Sequence, residues 1–96
     1  MSTTTAPTTL PAEFETVLRL TNIFGTDRTH STTGSGHQIG WTTGTTRFAA
    51  RTDGTITQVW TASRGARFGA LLVDSDSPTF RLTLLIILRR AAGITA

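Results

Sequence analysis

Apolar and polar residues alternate through residues 44–73 in the manner of β-strands, and recur every three or four positions in the segments on either side. Asp53-Gly54, between two runs of β-formers, is a strong hairpin signal, because a two-residue type I′ turn needs positive φ at both central positions. With those residues as the loop, Thr52 faces Thr55, Arg51 faces Ile56, Ala49 faces Gln58, Phe48 faces Val59 and Arg47 faces Trp60. A second turn over residues 63–66 returns a third strand at 67–73 and sets Trp60 over Gly69.

This register sorts the strands into two faces. Phe48, Ala50, Thr57, Val59, Phe68, Ala70 and Leu72 form the core face. The other carries Arg47, Ala49, Arg51, Ile56, Gln58, Trp60, Arg67, Leu71 and Val73. Such a mixture of apolar and cationic groups suits either a second small core under a loop or a contact face for a partner. Arg47 opposite Trp60 would form a cation–π pair, worth about 0.5–1 kcal/mol when exposed. A one-residue slip exchanges the two faces.

The flanks read as helices. In residues 10–24, Leu10, Phe14, Val17, Leu18, Leu20 and Phe24 share one side, with Glu15, Arg19 and Asn22 opposite. Pro11 suits the first turn, and Gly25 suits the position just past the end. In residues 79–93, Ser77 as N-cap, Pro78 at the first helical position, late arginines and Gly93 predict a second helix. The same run alternates well enough to serve as a fourth strand instead. As a helix it buries Phe80, Leu84, Ile87, Leu88 and Ala91, and leaves Leu82, Leu85 and Ile86 pointing elsewhere beside Arg89. That second stripe is either buried by neighbouring segments or a protein interface. Residues 25–46 read as a long polar connection, with a short strand at 37–42 anchored by Ile39 and Trp41.

The pattern therefore predicts a small single α+β domain: an N-terminal helix, a three-stranded antiparallel meander and a C-terminal helix. It spans residues 10–96, behind a Thr-rich, uncharged arm at residues 1–9 that is expected to be flexible. Ninety-six residues allow one thin core and no more.

Composition narrows the chemistry. The chain has no cysteine, which excludes disulfides, thiolate metal sites and cysteine nucleophiles. No leader pattern opens the sequence, and the apolar run at residues 82–88 is far shorter than the ~20 residues of a membrane span. A cytoplasmic or virion-associated chain with no membrane partner is expected. The net charge is +3, and all nine basic residues are arginine, which points to a GC-rich genome. Seven of them lie in residues 47–96, so the positive charge belongs to the sheet and the last helix. A charge this small predicts weak, salt-sensitive phosphate binding.

No arrangement of catalytic groups emerges. Asp27, His30 and His37 match no metal-ligand spacing, and no metal or cofactor is expected. The serines near those histidines lack a nucleophile elbow, and residues 34–40 lack the Lys-Ser/Thr ending of a phosphate loop. Glu13 and Glu15 are explained by the dipole of the first helix turn. No enzymatic activity or small-molecule substrate is expected.

The order helix, three strands, helix is similar to a double-stranded-RNA-binding domain. Where such domains carry a lysine-rich patch, however, this chain has Asp74-Ser75-Asp76-Ser77-Pro78. The three-stranded sheet packed on a C-terminal helix also looks like the sheet that integrase arm-binding domains lay in the major groove. That likeness would give Arg47, Arg51, Trp60 and Arg67 the nucleic-acid contacts.

Two functional expectations follow. The first is a non-catalytic interaction or assembly protein, a homo-oligomer or a component of a larger assembly such as a small phage or actinobacterial structural subunit. Its interface would be Leu82, Leu85, Ile86 and Arg89. The second is a small DNA-binding accessory or regulatory protein, using Arg47, Arg51, Gln58, Trp60 and Arg67.

Overall fold

The computed structural model describes residues 10–33, 36–63 and 67–94, apart from the side chains of Thr33 and Arg67. The arm expected at residues 1–9 lies outside the described residues, as do residues 64–66 of the expected second turn. The chain is an α+β domain in the order α1 (Ala12–Phe24), β1 (Thr26–Thr33), β2 (Gly36–Thr43), β3 (Thr46–Thr52), β4 (Thr57–Ser63), β5 (Arg67–Asp74) and α2 (Phe80–Ala91). The strands form one antiparallel sheet in the order β1-β2-β3-β4-β5. Both helices pack on the same face of it, α1 against β1, β2 and β3, and α2 against β5 and α1.

Helix α1 forms where the periodicity places it. Phe14 and Val17 are buried, and Leu10, Leu18, Leu20 and Phe24 pack against the core. Thr21 is buried on the same side, and its hydroxyl donates to the Leu18 carbonyl at 2.8 Å and accepts from Arg28 Nε at 3.2 Å. Those two bonds satisfy a polar group that burial alone would penalise.

The sheet has two strands more than the three expected. The polar connection at residues 25–46 supplies them: β1, and β2, which contains the short strand read at 37–42 around Ile39 and Trp41 and joins it to the meander. Every described side chain of β1 is exposed, so no apolar alternation marks it, and its extended form relies on β-branched threonines and pairing to β2. Gly44 and Thr45 join β2 to β3 as a two-residue turn between paired Thr43 and Thr46. Gly44 adopts φ 61°, and a Cβ there would collide with the Ala91 carbonyl oxygen, so the end of α2 closes directly onto this turn.

The Asp53-Gly54 hairpin exists with a longer loop than expected. Thr52 pairs with Thr57, Arg51 with Gln58, Ala50 with Val59, Ala49 with Trp60 and Arg47 with Ala62. The loop runs over residues 53–56 because Asp53 Oδ1 accepts from the Thr55 N–H at 2.9 Å, the Thr55 hydroxyl at 2.7 Å and the Ile56 N–H at 3.1 Å. These bonds hold the Asp53 carboxyl down to about 2. The register differs from the expected one by two residues, an even number, so β3 and β4 keep the expected faces.

Strand β5 does not. The β4–β5 ladder is irregular between Val59 and Trp60 and again between Trp60 and Ala62. The Thr61 hydroxyl accepts the Ala70 N–H at 3.0 Å, and Thr61, not Trp60, sits against Gly69. Each irregularity shifts the alternation of β5. Val73, expected on the outer face, joins the core, while Phe68, expected in the core, lies beside Trp60 with ring centroids 5.6 Å apart.

Residues 80–91 are helical, which removes the fourth-strand alternative. Ser77 Oγ accepts the Thr79 N–H at 3.3 Å, and the Ser77 carbonyl accepts the Phe80 N–H at 3.2 Å. A tight turn thus leads into a helix that begins at Phe80, two residues beyond Pro78. At the other end, Gly93 with φ 80° lets the Ile94 N–H reach the Arg89 carbonyl at 2.8 Å and its own N–H reach Arg90 at 3.0 Å, a Schellman closure. The core lies between the layers, with Phe14, Val17, Phe80, Leu84 and Leu88 from the helices against Ile39, Trp41, Phe48, Ala50, Val59 and Val73. Trp41 and Phe48 stack with centroids 5.5 Å apart. Each large apolar side chain removed from water contributes about 1.5–3 kcal/mol.

Candidate functional site

With both helices on one side, the opposite sheet face is left without a covering layer among the described residues. The pairing arranges it in rows across the strands. One row runs Thr29, Gly40, Ala49, Trp60, Leu71, and the next runs Ser31, Gln38, Arg51, Gln58, Asp74. Arg47 lies in a third row, between Thr42 and Ala62, with Phe68 opposite Ala62. A groove of about 670 Å³ crosses this face from Asp27 and Thr29 on β1 to Ala62 and Ser63 on β4.

Arg47 is bound up in the fold. Its Nη1 donates to the Asp27 carbonyl at 2.8 Å and to Thr42 Oγ1 at 3.2 Å, and Nη2 donates to Thr29 Oγ1 at 3.4 Å. The guanidinium crosses Gly40, where a Cβ would lie 3.0 Å from Nη2. Asp27 has φ 50° at the irregular start of β1, and Arg47 takes up the carbonyl that this kink turns outward. The cation–π pair expected between Arg47 and Trp60 is replaced by another: Arg51 lies over the Phe68 ring, 5.6 Å from its centroid. Arg51 is exposed, Gln58 and Trp60 are half-buried, and Leu71 is 44% exposed beside Trp60. The outer face therefore gathers Arg51, Gln58, Trp60 and Leu71 as expected, adds Phe68, and withdraws Arg47. The side chain of Arg67 lies outside the described residues.

A second surface lies on α2. Phe80, Leu84 and Leu88 are buried in the core, and Ile87 and Ala91 pack against it. Leu82 is 58% exposed and Ile86 40%, one turn apart, with Leu85 and Arg89 half-buried between and beyond them. The four residues share one side of the helix at the i, i+3, i+4, i+7 spacing. Ile94, just past the Schellman closure, adds another exposed aliphatic group at the same end.

The remaining candidate chemistry does not converge. His30, His37 and Phe14 cluster on the helix-facing side with their rings tilted to one another and centroids 5.6–6.3 Å apart, while Asp27 lines the groove on the outer face. Among the described residues no three side chains are placed to hold a metal ion. Nor is any helix among them long and apolar enough to cross a membrane.

Comparison with known proteins adds no relative: the chain matches no family model, no curated protein and no solved structure.

Proposed function

We propose that the protein is a non-catalytic interaction and assembly subunit that uses the outward stripe of α2. The observation that carries this reading is the pair Leu82 and Ile86, exposed one turn apart on a helix whose opposite side already fills the core. A helix that needed only its core contact would place polar residues there. Arg89 at the end of the stripe supplies charge for orientation, while Leu82, Leu85 and Ile86 supply the area.

The alternative is nucleic-acid binding through the outer sheet face. What favours it is the exposed Arg51 guanidinium over the Phe68 ring, which itself lies against Trp60, a combination of cation and stacking surface. It ranks second because Arg47, the other arginine described on that face, spends donors on Asp27, Thr29 and Thr42.

Molar mass by light scattering, at low and high salt, separates the readings. Assembly through α2 gives a species heavier than the 10.3 kDa chain that survives high salt and loses mass when Leu82→Asp and Ile86→Asp are combined. A mass identical with and without that double substitution at both salt concentrations removes α2 as the assembly surface. Binding of nucleic acid at low salt, lost with Arg51→Ala, assigns the function to the sheet face instead.

A further inference from the structure

The two edges of the sheet are unlike. Edge strand β5 is interrupted by two irregularities against β4, and Ala70 spends its N–H on the Thr61 hydroxyl. Such interruptions blunt an edge against pairing. Edge strand β1 carries no such protection beyond its first residues. From Thr29 to Thr33 it pairs with Gly40 to Gly36 without a break, and the run holds no lysine, proline, carboxylate or arginine. Its described side chains are all exposed, and among the described residues β2 is the only strand paired with it.

The same strand is held in place from both sides. On the outer face, Arg47 bonds Thr29 Oγ1 and the Asp27 carbonyl. On the helix side, Arg28 Nε bonds Thr21 Oγ1 of α1. An edge fixed in extended form before it meets a partner gives up little further entropy on association.

We propose that β1 is a self-pairing edge, and that its occupant is β1 of a second copy of this chain. The two strands run antiparallel about a twofold axis through Ser31, which sets Thr29 opposite Thr33, His30 opposite Thr32 and Ser31 opposite Ser31. Three features select a second copy. The run meets itself without like charges, and Ser31 faces Ser31, a favourable pairing of hydroxyl residues across antiparallel strands. Antiparallel twofold pairing is self-complementary, so every free backbone group on one edge finds its counterpart on the other. The outer groove reaches Thr29 and Ser31 at this edge, and pairing continues it onto the same residues of the second copy. The result is a ten-stranded sheet with all four helices on one side. This rests on the assembly reading for its role but uses a surface separate from the α2 stripe, and its test is arranged accordingly.

The full-length chain carrying Leu82→Asp and Ile86→Asp is the background, because it removes the α2 contact. In that background the mass remains twice the single chain, and adding Ser31→Lys, which sets two ammonium groups opposite one another on an exposed position, halves it while the circular dichroism spectrum is unchanged. The chain has no native cysteine, so Ser31→Cys is a single-site reporter. Directly opposed residues in an antiparallel pair have Cα atoms about 4.5–5.5 Å apart, within the range a disulfide spans. Under mild oxidation Ser31→Cys cross-links to a dimer at least about tenfold faster than Thr55→Cys, an exposed position in the β3–β4 loop. Equal cross-linking rates at the two positions overturn the proposal, as does a mass that Ser31→Lys leaves unchanged. A single-chain mass in the background itself also overturns it, and assigns the edge to another protein's strand or to none. None of these outcomes depends on whether α2 docks, so failure of the β1 pairing and failure of the α2 reading are read separately.

Discussion

Arg47 Nη1 donates to the main-chain carbonyl of Asp27 at 2.8 Å, across two intervening strand boundaries and from a position 20 residues later in the chain. The bond reaches from a central strand to the edge, over Gly40, and ends on the one non-glycine residue with positive φ among those described. It ties the start of β1 to the sheet where the β1–β2 ladder is irregular. Removing it as Arg47→Ala also abandons Thr42 and Thr29, and the expected cost is about 1–3 kcal/mol in urea unfolding. The loss should concentrate in β1, so amide exchange of residues 26–33 accelerates more than that of β3 or β4. Arg47→Lys recovers little, since one ammonium cannot span the fork of acceptors. Uniform acceleration across all five strands would show that Arg47 supports the sheet generally and not its edge.

The β2–β3 turn makes a sharper test of the backbone. Gly44→Ala places a methyl against the Ala91 carbonyl and forces an L-residue to φ 61°. Neither the carbonyl nor the turn can swing away as a side-chain tip would, so a loss of about 2 kcal/mol or more is expected. Gly40→Ala meets only the ends of the Arg47 and Thr29 side chains, at 3.0 and 3.1 Å, and should cost less. Thermal denaturation of the two variants side by side checks the order. The reverse order would mean that the Arg47 clamp is stiffer than the junction of the turn with α2.

Asp53 gives the fold an acid-sensitive turn. Its carboxyl sits at about 2, below the ordinary 3.8, chiefly because the Thr55 hydroxyl and then the Thr55 and Ile56 amides donate to it. A depressed folded-state value stabilises the fold when the group is ionised. The contribution is present above 3.8 and is lost as pH falls through about 2. The difference in unfolding free energy between wild type and Asp53→Ala should therefore be constant at neutral pH and shrink between those limits. Asp53→Asn, which keeps an acceptor without the charge, should narrow that difference at neutral pH and leave its pH dependence the same, since neither replacement titrates. A difference that holds steady down to the lower limit would mean that the turn does not need the carboxylate.

What the sequence makes legible follows from where apolar contrast exists. Helix α1, strands β3 and β4, and the inward side of α2 each bury one side and expose the other, so their period is written in the residue types. The faces of β3 and β4 are right even with the loop two residues too short, because an even shift preserves alternation. Strand β1 offers no contrast, since Thr26, Thr29, His30, Ser31 and Thr32 are exposed on both faces. The exchange of Phe68 and Val73 depends on where the irregularities of β5 fall, which the bond from Ala70 to the Thr61 hydroxyl helps to fix and no periodicity announces. The role of Arg47 was hidden for the same reason as β1: its partners Asp27 and Thr29 lie on a strand that the pattern does not reveal.

The two sides of α2 separate stability from association. Leu84 is fully buried against both layers, and Leu84→Ala should cost about 2–5 kcal/mol, as the lost transfer energy adds to that of the cavity left behind. Leu82 is 58% exposed, and Leu82→Ala should change unfolding of the isolated chain by no more than about 0.5 kcal/mol. On association the ranking reverses, because Leu82 contributes area to the partner and Leu84 contributes none. Urea unfolding at low protein concentration reads the first property, and the concentration dependence of molar mass reads the second. If Leu82→Ala destabilised the dilute chain as Leu84→Ala does, the stripe would be serving the fold of a single chain. The assembly reading would then lose the observation it stands on.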